Sequence, residues 1–115
     1  MNNLPNAEQS PRIVNGVLKW YEGDTFDLQF SFNLADQDDV PMDIAPIDEV
    51  DIVFKNKRLK TVKQFHFTGI FNNLVTMNFD AECSALFPAG QYTYDVYYSS
   101  QERTTVIKDN KVVVE

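Results

Sequence analysis

The chain is poor in the residues that most chemistry needs. One histidine and one cysteine among 115 residues exclude, within this sequence, an internal disulfide, a multi-thiolate metal centre, a histidine metal triad and a relay through two imidazoles. Gly16, Gly23, Gly69 and Gly90 are its only glycines and never cluster into a phosphate-cradling loop. No apolar run approaches the ~18 residues of a membrane span, and the opening MNNLPNAEQSPR has neither the basic nor the apolar part of a signal peptide, so no membrane partner is expected. Positive charge is also short. Ten Lys and Arg against 17 Asp and Glu give a net charge of -7, which repels a phosphate backbone. The densest basic group, Lys55, Lys57, Arg58, Lys60 and Lys63, follows directly on acidic residues, so no nucleic acid is expected either.

What remains is an ordinary globular composition, 43% hydrophobic and 23% charged, in a length suited to one domain. Residues 1–11, with Asn2, Asn3, Pro5, Asn6, Ser10 and Pro11, hold too little apolar area to order themselves and read as a flexible arm. Residues 12–115 read as a single β domain. The segment from Arg12 to Tyr21 has strand formers interrupted at Gly16, where a bulge or a break is expected. Phe26, Leu28, Phe30, Phe32 and Leu34 then alternate with polar residues, the pattern of a half-buried antiparallel strand.

Asp36 to Pro41 reads as a turn, and Val50, Ile52 and Phe54 share one face of the next strand. Phe65 and Phe67 are expected opposite Val62 and His66, and Val75, Met77 and Phe79 inward. Asp80 to Phe87 can form one capped helical turn before Pro88, crossing between sheets. Tyr92, Tyr94, Val96 and Tyr98 share a strand face. Arg103 to Lys108 and Lys111 to Val114 finish the chain as a hairpin or one bent edge strand around Asp109-Asn110. As an edge, Val112 to Val114 would leave backbone groups unpaired unless another segment covers them.

Short strands with turns every eight to twelve residues predict an all-β, antiparallel two-sheet sandwich of seven or eight strands. Pro88-Ala-Gly90-Gln-Tyr92-Thr-Tyr94 sharpens this to an immunoglobulin-like topology, with Tyr92 returning its hydroxyl to nearby backbone at a sheet corner just after Gly90. Tyr94 occupies the place of the second cysteine in a disulfided domain of that kind. A small jelly roll or barrel is the alternative.

Few residues invite chemistry. His66 reads as a partly exposed strand residue, and Cys83, beside Asp80 and Glu82, as a small buried group whose acidic neighbourhood disfavours a thiolate. Asp36, Asp38, Asp39 and Asp43 resemble the oxygen-rich clusters that hard cations need, but lack the calcium loop's glycine and terminal glutamate; turn nucleation and solubility are the favoured reading, with adventitious or structural calcium the alternative. Trp20, Tyr21, Tyr97 and Tyr98 are the candidate surface-recognition aromatics, for a sugar or a protein, or else they close the edge of the sandwich. No catalytic, cofactor-binding or metal-binding residue is assigned.

Gly23-Asp24-Thr25, the stretch from Asp36 to Ile44, the stretch from Pro88 to Val96, and Arg103 to Val114 together resemble the N-terminal domain of phage baseplate upper proteins and related phage tail or fibre proteins. The resemblance covers about residues 16 to 115. Asp39 stands where the family's turn usually has glycine, and Asn110 where another glycine often precedes the final strand. The resemblance implies an immunoglobulin-like sandwich without catalytic residues, made in the host cytoplasm and built into the virion tail or baseplate. It implies other tail or baseplate proteins as partners. A cut-out domain, a small stand-alone virion or prophage protein and a different family sharing the fold all stay open. The expected function is therefore a non-enzymatic assembly module, a monomer or weak oligomer in isolation. The alternative is a carbohydrate- or cell-surface-binding module.

Overall fold

A computed structural model of the chain describes residues 10–32, 34, 35, 38, 41, 42, 44, 48–100 and 104–115, with backbone alone for 34, 35, 41, 42 and 104–106. The elements run β1 (Arg12–Val14), β2 (Val17–Trp20), β3 (Phe26–Ser31), β4 (Leu34–Ala35), β5 (Pro41–Met42), β6 (Glu49–Asn56), β7 (Thr61–Phe67), β8 (Leu74–Phe79), α1 (Ala81–Ser84), β9 (Gly90–Ser99) and β10 (Thr104–Val114). The protein is mostly β. Its ten described strands, two of them only two residues long, stand against the expected seven or eight.

Six strands form one sheet in the order β1-β2-β10-β9-β6-β7, while β3 and β8 form a second, two-stranded sheet and β4 and β5 a short antiparallel pair. The interruption expected at Gly16 is a hairpin turn: Val14 pairs with Val17, and Asn15 and Gly16 have φ of 51° and 79°. Positive φ at both central residues is what a two-residue type I′ turn requires, and Asn-Gly is its favoured sequence.

The large sheet is mixed, which corrects the purely antiparallel expectation. β2 lies parallel to β10, with Leu18 beside Val112 and Trp20 beside Val114. This pairing places four buried side chains on one face and gives the backbone of β10 a partner on its second side, so it is favoured by burial and by hydrogen bonding together. β10 is accordingly one strand and not a hairpin, and Val112 to Val114 are interior instead of an edge, paired on both sides. Its bend is a β-bulge: Ile107 pairs with Val96 and Asn110 with Tyr94, so Lys108 and Asp109 together face Asp95.

Alternation builds the core. Leu28 on β3 and Val75, Met77 and Phe79 on β8 are buried, as are Val50, Ile52 and Phe54 on β6. Rings join the two sheets directly: Trp20 to Phe79 at 5.1 Å between centroids, Phe54 to Phe79 at 5.7 Å and Phe30 to Tyr94 at 5.2 Å. Val62 packs on this core instead of facing away with His66. The cause is a second register shift, since Phe54 pairs with Lys63 and Lys55 with Thr61, leaving Val62 as the extra residue. Between the sheets, Asp80 caps α1 by accepting the Cys83 N–H at 2.8 Å, and the Ser84 hydroxyl donates to the Asp24 carbonyl at 2.5 Å.

Candidate functional site

The aromatics expected at the surface do not assemble there. Trp20 is 0% exposed, ringed by Phe26, Phe54, Phe79 and Phe87, and Tyr98 is buried with its hydroxyl donating to Asp48 Oδ2 at 2.6 Å. The reason is register: β2, paired beside β10, points Trp20 inward, where Phe26 and Phe79 of the opposing sheet cover it, and β9 points every second residue, Tyr98 included, at the opposing sheet. Tyr21 and Tyr97 are half-buried and apart. The Tyr21 ring lies under the Arg12 guanidinium at 4.9 Å, and the Tyr97 hydroxyl donates to Asp95 at 3.4 Å. Among the described residues no ring contact joins any two of the four.

The start of β9 is tied to the segment just before it. The Tyr92 hydroxyl donates to the Pro88 carbonyl at 2.5 Å, four residues upstream, while its ring packs edge-on against Phe87 at 5.2 Å. Burial raises the Tyr92 pKa, with Glu22 adding to it, and keeps the hydroxyl a donor. Gly90 makes the approach with φ of 158°, where side chains are rarely found. Tyr94 sits between Phe30 and Phe54, and burial raises its pKa.

A polar centre that the sequence did not announce lies on the outer face of the large sheet. Asp95 is 1% exposed, yet Lys55 Nζ stands 2.6 Å from its Oδ2 and the Asp109 N–H donates to its Oδ1 at 2.8 Å. Burial pushes the Asp95 carboxyl up, but hydrogen bonds from Lys55 and from Asp109, with the ammonium charge, outweigh it and hold the pKa below its usual value. The Lys55 ammonium is held above its own usual value, chiefly by the hydrogen bond to Asp95. This arrangement neutralises a buried charge and pins the bulge of β10. The local signal for it was Asp109-Asn110, turn formers inside a strand pattern; Asp109 has φ of 61°.

His66 Nδ1 lies 2.7 Å from Asp51 Oδ1 across the β6–β7 ladder, and Glu49 is 3.9 Å from Nε2. The hydrogen bond to Asp51, then its charge, raises the His66 pKa. Cys83 is buried and its thiol pKa is pushed up by that burial, Asp80 adding to it against Lys63. Asp36, Asp39 and Asp43 lie outside the described residues, as do residues 1–9 of the expected arm; Asp38 is exposed. Ser10, at the end of that arm, donates to Asp24 Oδ2 at 2.7 Å and accepts the Tyr21 N–H at 3.1 Å.

No protein-family model matches the sequence, and no curated protein matches it.

Proposed function

We propose that the chain is a non-enzymatic, immunoglobulin-like structural module of a phage or prophage tail, baseplate or fibre, acting through protein–protein assembly. The observation that carries this reading is the Tyr92 hydroxyl on the Pro88 carbonyl, inside the same Pro88 to Val96 stretch that carries the sequence resemblance. A tyrosine corner at the entry to a central strand is a hallmark of immunoglobulin-like sandwiches. Strand order supports the same topology: β10-β9-β6-β7 run as G, F, C and C′ of such a domain, and β3 with β8 as B and E. For assembly, the outermost strands of the large sheet among the described residues are β1 and β7, and Ile13 on β1 is 74% exposed. The sugar-binding alternative loses two of its four aromatics to the core.

The test is particle composition. The chain should co-purify with induced or propagated virions through a density gradient and be detected by mass spectrometry, and its gene should sit among tail, tape-measure and lysis genes. Absence from particles, or a place in a metabolic operon, overturns the reading. In isolation the protein should be a monomer or weak oligomer by light scattering at micromolar concentration. A tight oligomer persisting at ~10 nM would instead place the main interface between copies of this chain.

A further inference from the structure

The outer face of the large sheet carries a groove of about 320 Å³ beside the β6–β7 turn. Its apolar wall is Val17, Val113 and Leu59; Lys57 and Lys111 supply charge, and Thr93 contributes a buried hydroxyl with no hydrogen-bond partner among the described residues. Two features set it apart. In a chain of net charge -7, the lysines Lys57 and Lys111 are exposed, with no carboxylate paired to either among the described residues. Leu59 is held at φ of 62° and is 67% exposed. A bulky residue in the left-handed region is strained, and glycine would make the same turn without strain. The turn is closed independently of the leucine side chain, since Asn56 Oδ1 accepts the Arg58 and Lys60 N–H groups at 2.9 and 3.1 Å. The fold therefore needs the turn and does not need an exposed leucine there.

We propose that this groove docks an extended, acidic segment of a partner protein, its apolar side chains on Val17, Leu59 and Val113 and its carboxylates on Lys57 and Lys111. The charge decides the occupant: cations with no carboxylate partner among the described residues, flanking an apolar floor, match alternating apolar and acidic residues. This names the chemistry of a partner within the assembly reading and rests on that reading. The experiment is separate from particle composition, so either can fail alone.

The probe is a capped eight-residue peptide alternating glutamate and valine, titrated into the isotopically labelled full chain and followed by backbone amide shifts. A lysine–valine peptide of the same length is the control. Shifts are expected at residues 17, 57–59, 91–93 and 111–113, weakening at least tenfold in K57E/K111E and falling as salt rises. L59G is the decisive variant, because it relieves the backbone: it should keep or raise the melting temperature while weakening the glutamate–valine peptide at least fivefold. No binding at millimolar peptide, shifts elsewhere, equal binding of the lysine peptide, or unchanged affinity in L59G each overturns the proposal. So does concentration-dependent broadening of these residues in the free protein, which would make a second copy the occupant.

Discussion

Lys55 Nζ and Asp95 Oδ2 lie 2.6 Å apart on neighbouring strands of the large sheet, and Asp95 Oδ1 accepts the Asp109 N–H at 2.8 Å. One carboxylate thus ties β6, β9 and the bulge of β10 together. A buried charge is tolerated because it is both paired and hydrogen-bonded.

Removing that charge should produce a pH-dependent defect. The folded pKa of Asp95 is lowered, so its contribution is complete above the unfolded carboxylate value of about 3.9 and is lost as pH falls through the lower folded value. D95N should destabilise the domain by about 1–2 kcal/mol at pH 7, and the difference from wild type should shrink below pH ~4. Urea denaturation from pH 3 to 7 measures it; a pH-independent difference would mean that the ionised form contributes nothing.

His66 carries the opposite sign. Its pKa is raised, chiefly by the hydrogen bond to Asp51, so the stabilisation is complete below the unfolded value of about 6.5 and disappears as pH rises through the folded one. Imidazole resonances should titrate above ~6.5 in the wild type and move down in D51N. An unchanged midpoint in D51N would remove Asp51 as the cause.

Tyr92→Phe tests the corner. The bond to Pro88 is exposed, so the freed carbonyl can turn to water, and the expected loss is about 0.5–1.5 kcal/mol with native spectra. A loss under ~0.5 kcal/mol at equilibrium would deprive the corner of a structural role.

Trp20 should behave as a core residue. Its fluorescence should resist acrylamide until the domain unfolds, and W20A should cost about 3–5 kcal/mol, because four phenylalanine rings lose their common neighbour. Ready quenching in the native state would contradict its burial.

By itself the sequence determined what short-range patterns can determine. Period-two alternation marked the inward faces of β3, β6 and β8, because a strand with one dry face must repeat every second residue. Asp80 was readable as a cap because capping joins residues three apart. The interruption at Gly16 was equally local; it was expected as a bulge or a break, and the Asn15-Gly16 dipeptide makes it a hairpin turn. Tertiary structure alone decided the rest. Whether Val112 to Val114 form an edge or an interior strand depends on β2, more than 90 residues earlier in the chain. The same pairing turned Trp20 from a candidate binding platform into the centre of the core. Asp95 and Lys55 sit in outward positions that alternation marks as wet, and only the bulge of β10, folding Asp109 over them, makes one of them dry. Alternation reports the face a side chain points to; what covers that face is set by strand pairing between distant segments, which no local pattern encodes.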